Sequence, residues 1–217
     1  MYKNLEKGRS MIEMLGVLAI VGVLSVGGIA GYTKAMQMYR SNKQKSFLTT
    51  LFTSAIDLKP NLYSTLTSKN TDITYVFDAL NLIPEGMTYK NNRIYDWDNN
   101  YIFINYGAAD VKHEDGSSHK QYQYLIGIRV ALNNNKLSLS AKDYCLNIFY
   151  AAQAVSQDIG NIAFSSKDSN HWSKEQWRNL WWQKDFSTES LADVSKKCQL
   201  TTKEGDAATF YIFIKTD

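Results

Sequence analysis

The sequence predicts an α+β fold, in which a long N-terminal α-helix with a transmembrane first half packs against an antiparallel β-sheet head that also carries short helices. Residues 14–33 contain no charged side chain, which matches the ~20 apolar residues that a membrane-spanning helix needs. Residues 47–56 continue with apolar side chains at three- and four-residue spacing, which is typical of a helix. Residues 101–106 and 122–132 alternate aromatic and aliphatic side chains, which favours neighbouring antiparallel strands with one face on the helix.

Length and charge narrow the classes of function. The 217 residues allow one domain of ordinary size after the membrane helix. A net charge of +3 with scattered positive residues does not predict a nucleic-acid partner. No Ser/His/Asp, Cys/His or phosphate-cradling motif is recognisable. We therefore expect no catalytic residue, no cofactor and no enzymatic activity.

The N-terminal helix is expected over residues 10–58, roughly 70 Å at 1.5 Å per residue. Pro60 disfavours the α conformation of the residue before it and marks the predicted end. Gly27 and Gly31 have the spacing that permits close helix approach, although glycine is also simply common in membrane helices. The first half is assigned to the membrane and the second half to a spine for the head.

Glu13 carries a carboxylate at the N-terminal end of the apolar run. A charged side chain inside a membrane helix costs roughly 2–3 kcal/mol unless it finds a partner. Glu13 is therefore the first candidate functional residue.

Residues 8–15, Gly-Arg-Ser-Met-Ile-Glu-Met-Leu, followed by the apolar run and by Tyr-Thr-Lys-Ala at 32–35, resemble the class III signal of type IV prepilins and pseudopilins. The resemblance implies that prepilin peptidase cuts after Gly8 and methylates the new N-terminus on Arg9. The family usually has Phe or Met at this position, so Arg9 departs from its pattern. The resemblance also implies that Glu13, at the fifth mature position, is the assembly glutamate.

Simple electrostatics agrees with this role of Glu13. Cleavage after Gly8 would leave a cationic amine on Arg9, one helical turn from the Glu13 carboxylate. In a fibre, the carboxylate of one subunit could pair with the amine of a neighbour. Assembly would then neutralise two charges that are each costly alone.

The apolar run also fits two further kinds of segment. It could be a secretory signal peptide cut near residues 28–30, although it is long for such a segment and Glu13 interrupts its start. It could equally be an uncleaved single-pass anchor. A buried core helix fits poorly, because the run is apolar on all sides rather than along one stripe.

The predicted domains are a leader peptide at residues 1–8, a transmembrane and assembly helix at 9–59 and a globular head at 60–217. In the first part of the head, residues 75–82 predict a short helix. Residues 94–95 predict a further strand, in addition to those at 101–106 and 122–132, and residues 136–139 are a weaker strand candidate.

The last part of the head alternates helices with one strand. Ser140 and Asp143 have the spacing of a capping box, and the helix that they open is expected to end at Gly160. Residues 173–176 form a second capping box in front of a Trp-rich helix. A short helix at 188–197 and a strand at 209–215 complete the prediction.

Cys145 and Cys198 are the two cysteines of the chain. On the exported side of a membrane they are expected to pair, which would be worth about 4 kcal/mol in the chain-entropy model; two buried free thiols are the alternative. Residues 78–84, Asp-Ala-Leu-Asn-Leu-Ile-Pro, and 142–146, Lys-Asp-Tyr-Cys-Leu, resemble the linker and the cysteine-bearing helix of type IVb pilins. This resemblance implies a C-terminal disulfide-bounded region that Cys198 closes.

Three further groups of residues have some features of binding sites. Asp96, Asp98 and Asn100 have the opening spacing of a calcium loop, but the expected glycine and glutamate are missing, which favours a polar turn between strands. His113 and His119 lack a third metal ligand nearby, which favours a solvated hairpin loop, so no metal site is expected. The indoles at 177, 181 and 182 fit an exposed contact patch and a core plug equally well.

The sequence thus predicts a structural subunit of a type IV, IVb-like pilus. Its partners would be further copies of itself in a homopolymeric fibre, prepilin peptidase and the pilus assembly platform of the inner membrane. It would first lie in the inner membrane, as a single-pass protein with an extracytoplasmic head, and then in a cell-surface pilus. A pseudopilin of type II secretion or DNA uptake is one alternative. A membrane-anchored extracytoplasmic binding domain that never polymerises is the other.

Overall fold

The computed structural model describes residues 7–62, 70–112, 118–131, 140–165, 182–183, 188–198 and 207–215. Its helices are α1 (Lys7–Leu62), α2 (Thr74–Ala79), α3 (Ala141–Ala154) and α4 (Leu191–Lys197). Its strands are β1 (Thr71–Asp72), β2 (Thr88–Lys90), β3 (Arg93–Tyr95), β4 (Tyr101–Lys112), β5 (Ser118–Ala131), β6 (Ile159–Ser165), β7 (Trp182–Gln183) and β8 (Ala207–Ile214). The α+β class, with a long apolar N-terminal helix and an antiparallel sheet, is confirmed.

The chain divides into two compact units. The N-terminal unit ends at Arg40, and the head unit begins at Ser41. The N-terminal unit consists, among the described residues, of the first part of α1. Its large apolar side chains from Met11 to Tyr32 are 51–74% exposed. This helix is long and apolar enough to cross a membrane.

In the head unit, the remaining part of α1 becomes amphipathic and buries one face. The buried residues recur at helical spacing and are Phe47, Leu48, Leu51, Phe52, Ala55, Leu58 and Leu62. The predicted end before Pro60 is wrong by one turn, because α1 continues through Pro60 to Leu62. Burial of Leu62 keeps this last turn on the core, which offsets the helix-breaking tendency of proline.

The sheet is antiparallel in every described pairing, with strand order β2-β3-β4-β5-β8-β6-β7 and β1 paired to β4. The long hairpin β4–β5 forms its middle. The C-terminal strand β8 lies between β5 and β6, so the end of the chain is held by two neighbours. The inner face of these strands packs with α1 and α3 in one large core.

Several helix limits and strands differ from the sequence prediction. The helix predicted over residues 75–82 ends at Ala79, and the helix predicted over residues 188–197 begins at Leu191. The capping box of Ser140 and Asp143 forms as expected, but α3 ends at Ala154, well before Gly160. Gly160 instead lies in β6, at a register shift between Ile159 and Asn161. The short strands β1, β2 and β7 have too few residues to show a period in the sequence. The strand predicted at 136–139 and most of the Trp-rich helix lie outside the described residues. Trp182, which the sequence assigns to that helix, lies instead in strand β7, paired with β6.

The outer face of the sheet holds a smaller apolar cluster of Leu125, Ala163 and Tyr211, with Phe103 and Phe213 packed beside it. Gly127 is opposite Phe103 on one side and Tyr211 on the other. A Cβ atom at Gly127 would lie 2.1 Å from Cζ of Phe103, so the aromatic ring occupies the space above the glycine. The Phe103 and Tyr211 rings meet edge-on at 6.3 Å, a favourable aromatic geometry.

We expect Gly127→Ala to destabilise the chain by about 1–2 kcal/mol, because the new methyl group must displace the Phe103 ring. In a Phe103→Ala background the same change should cost little or stabilise the strand, since alanine is better than glycine there. Urea unfolding of the full chain in detergent, followed by circular dichroism, measures both. An equal cost in the two backgrounds would show that the ring is not the reason for glycine at this position.

Candidate functional site

The residues that the sequence singles out near the N-terminus lie at the beginning of α1. Gly8 and Arg9 are helical in the first turns, so the predicted scissile bond is inside the helix as it begins. Glu13 follows one turn later with an exposed side chain. No described side chain pairs with its carboxylate. Cleavage after Gly8, the terminus at Arg9 and the assembly role of Glu13 remain predictions.

In the part of α1 that follows Glu13, the hydroxyls of Ser25 and Thr33 are both hydrogen-bonded to the helix backbone. Ser25 Oγ donates to the carbonyl of Val21 at 2.7 Å, and Thr33 Oγ1 donates to the carbonyl of Ile29 at 2.8 Å. Such bonds back to the preceding turn remove hydroxyl polarity from the helix surface. Glu13 is the one charged side chain between Met11 and Thr33, and a charged carboxylate is costly in an apolar medium unless it is paired.

The disulfide expected from the sequence is present between Cys145 and Cys198, with a Cα–Cα distance of 5.6 Å. Cys145 lies in α3 and Cys198 at the C-terminal end of α4. Both side chains are buried, so the bond holds α4 on α3 inside the core. It closes a loop across 53 residues, which is worth about 4 kcal/mol in the chain-entropy model.

A buried polar pair holds α3 on α1 within the head unit. Asn147 Nδ2 donates to Gln44 Oε1 at 2.7 Å, and Ser41 Oγ donates to Asn147 Oδ1 at 2.9 Å. Gln44 and Asn147 are each 3% exposed. Buried amides stabilise only when they are paired, so this pair fixes the register of α3 along α1.

The candidate calcium loop is a structural turn. Asp96 Oδ1 accepts the backbone N–H groups of Asp98 at 2.8 Å and Asn100 at 2.9 Å. Its Oδ2 accepts Asn100 Nδ2 at 3.0 Å. These bonds use the carboxylate to order the connection between β3 and β4, as expected for a polar turn between strands. No cluster of three potential metal ligands occurs among the described residues.

Tyr144 connects this turn to the disulfide helix. Its hydroxyl lies 3.1 Å from Asp96 Oδ2 and 2.5 Å from Asp98 Oδ2. One hydroxyl proton can be donated to only one of these oxygens. Burial raises the pKa of Tyr144, and the charge of Asp96 raises it further, so the hydroxyl keeps its proton.

Burial also raises the pKa of Asp96 above its ordinary value, although hydrogen bonds from Asn100, Asp98 and Tyr144 oppose the shift. Two basic side chains on neighbouring elements, Lys43 and Arg93, contact groups other than the Asp96 carboxyl. Lys43 of α1 lies over the rings of Phe47 and Trp97 at 5.4 and 5.9 Å. Arg93 of β3 is paired with Asp72. The raised pKa of Asp96 therefore follows from burial of its carboxyl in the turn.

Sequence reasoning missed Tyr144, Asn147 and Gln44. Tyr144 stands between Asp143 and Cys145, both of which the sequence singles out, but its partners are 46 and 48 residues away in the chain. Of the remaining candidates, His113, Trp177 and Trp181 lie outside the described residues. The backbones of His119 and Trp182 lie in β5 and β7.

Comparison of the chain with protein-family models, with curated proteins and with solved structures finds no match.

We expect Asp96→Asn to change the pH dependence of stability. Because the pKa of Asp96 is raised in the folded chain, the folded state binds this proton more tightly than the unfolded state. The resulting stabilisation is fully present below the ordinary pKa of about 3.9 and is lost as pH rises through the raised value. From about pH 4 to pH 7, the free energy of unfolding of the wild type should therefore fall relative to that of Asp96→Asn.

Urea unfolding of both full chains in detergent across this pH range measures the difference. Asp78→Asn serves as the matched control, because it removes an exposed carboxyl from α2 and shows whether loss of any carboxyl produces the same change. A difference between wild type and Asp96→Asn that stays constant from pH 4 to pH 7 would contradict the linkage.

Proposed function

We propose that this chain is a type IV pilin-like subunit of the IVb group, which is processed after Gly8 and polymerises through α1. The observation that carries the proposal is the N-terminal unit itself. It combines a class III-like signal with a helix that is exposed and apolar on all sides and carries Glu13 near its start. Such a surface needs a membrane or neighbouring helices to cover it.

The head unit supports the same proposal in a more general way. A buried disulfide stabilises it, and disulfides persist in oxidising compartments outside the cytoplasm. The amphipathic part of α1 gives the sheet a helical spine. A single-pass anchor with its head outside the cytoplasm fits both units, and the pilus is the further step of the proposal.

Assembly would use the membrane helix twice. In the inner membrane, α1 would hold the subunit while prepilin peptidase removes residues 1–8. During polymerisation at the assembly platform, α1 would move from lipid to the interior of a fibre, where helices of other copies cover the same apolar surface. Glu13 of the incoming subunit would meet the amine of Arg9 on a neighbour, so that two charges leave the membrane as a pair.

The cleavage step is tested by Gly8→Ala. We expect the variant to keep the eight-residue leader, because a methyl group at the scissile position obstructs the peptidase. The N-terminal mass of protein from sheared surface material and from membranes measures the outcome, and the wild type should begin at Arg9. Gly16→Ala is the control, because a Cβ there meets no atom within 4 Å and processing should be normal.

Normally shortened Gly8→Ala protein would end the cleavage proposal. A wild-type terminus near Ala30 would instead favour a secreted domain, and a retained Met1 would favour an uncleaved anchor with a binding head.

The charge-pair step is tested by Glu13→Val. This change should leave processing intact but lower the yield of sheared fibre by at least about tenfold, because the amine on Arg9 loses a partner that is worth roughly 2 kcal/mol in an apolar interior. Asp57→Asn removes an exposed carboxylate from the same helix and should leave the yield unchanged. Wild-type fibre yield from Glu13→Val would eliminate the charge-pair mechanism.

A further inference from the structure

A ring of aromatic and basic side chains follows the apolar surface of the N-terminal unit. Tyr32 and Tyr39 are 67% and 61% exposed, and Lys34 and Arg40 are exposed as well. We call these four residues the collar. No acidic residue occurs from residue 14 to residue 56, so no acid in this part of the chain neutralises the two cations.

The collar begins where the helix surface stops being compatible with hydrocarbon. The hydroxyls of Ser25 and Thr33 are satisfied by carbonyls of the preceding turn. Tyr32 and Lys34 are the first exposed groups after Glu13 whose polar ends need water or headgroups. Tyrosine and lysine at such a boundary are typical of the membrane–water interface.

The two basic residues of the collar can both reach one headgroup layer. The polar layer of a bilayer is about 5–8 Å thick on each side, and Lys34 lies about 3 Å beyond Tyr32 along the helix axis. Arg40 lies about 12 Å beyond Tyr32. Helical Cα–Cβ bonds tilt toward the N-terminus, which is the membrane side here, so the long side chain of Arg40 can extend back to the phosphates.

The positions around the helix also fit a flat lipid surface. Tyr32 and Tyr39 are seven residues apart and lie on the same side, whereas Lys34 and Arg40 lie about 120° apart. The cations therefore face separate parts of the surrounding leaflet rather than one small anion. Their charge complements acidic headgroups.

We propose that the collar binds anionic phospholipid headgroups in the leaflet on the side of the head unit. The proposal rests on the membrane-spanning part of the proposed function and not on cleavage or polymerisation. Each basic side chain near an anionic surface contributes ~1 kcal/mol, so the two together correspond to about a thirtyfold preference over a zwitterionic lipid.

Native mass spectrometry of the full chain, released from detergent with equal amounts of phosphatidylglycerol and phosphatidylcholine, counts the lipids that each chain retains. The wild type should retain the anionic lipid preferentially, and Lys34→Gln/Arg40→Gln should lose about thirtyfold of that preference. Lys90→Gln/Lys142→Gln is the matched control, because it removes the same charge from exposed positions of the head unit and should behave as wild type.

Unchanged preference in Lys34→Gln/Arg40→Gln would overturn the collar. An equal loss in the control would overturn it too, since the preference would then follow net charge. Failure of the membrane anchor is recognised separately, because the wild-type chain would then be extracted from membranes by alkaline carbonate. Failure of the pilin proposal is also separate, since it is read from the N-terminal mass.

Discussion

One helix that has to fit two different surroundings is the constraint on which the rest of the structure depends. In the head unit, α1 buries a single stripe that includes Leu51, Phe52 and Ala55, each 0% exposed. Before Arg40, the same helix exposes apolar side chains on all sides. Water does not stabilise such a surface. Lipid or neighbouring helices around this part of α1 would suit the proposed function, whereas the sheet packs on the amphipathic part.

The head unit fixes its helices on α1 and the sheet with polar bonds as well as apolar packing. Apolar contacts are weakly directional, and they would tolerate a slide of α3 by a fraction of a turn. The Gln44–Asn147 pair, the Tyr144 contact with the β3–β4 turn and the Cys145–Cys198 bond act at three separate positions on α3. Because they join α3 to three different elements, α1, the β3–β4 turn and the end of α4, together they define its position.

The sequence was sufficient to predict features that repeat over many residues and features that involve only a few neighbouring residues. The uncharged run at 14–33, the alternation in β4 and β5, and the Ser140 capping box all belong to this kind, and each was predicted. The disulfide was predicted for a different reason, because the chain has two cysteines, and on the expected exported side of a membrane they leave only one possible pair. Helix ends were less accurate: Pro60 was overridden by the burial of Leu62, and Gly160 by pairing of β6 with β8.

The sequence could not predict the polar contacts between residues that are far apart in the chain. Asp96, Asp98 and Asn100 were recognised as a turn, yet nothing in their spacing indicates that Tyr144 completes it from a distance of 46 residues in the chain. The contact between Gln44 and Asn147 could not be predicted either, because it joins residues 103 positions apart and no repeating pattern indicates it. Contacts between distant segments depend on topology, and the insertion of β8 between β5 and β6 is a feature of that kind.

Charge near the apolar helix bears on its proposed orientation. Lys3, Lys7 and Arg9 precede the helix surface that would lie in lipid, and Lys34 and Arg40 follow it, so the rule that positive flanks stay in the cytoplasm gives little preference. That rule acts mainly on short flanking loops, and large domains cross a membrane largely regardless of it. The head is a large domain with a buried disulfide, which is an argument for the oxidising side. On that side the two basic residues have no role in topology, so lipid headgroups are the natural counterpart of their charge.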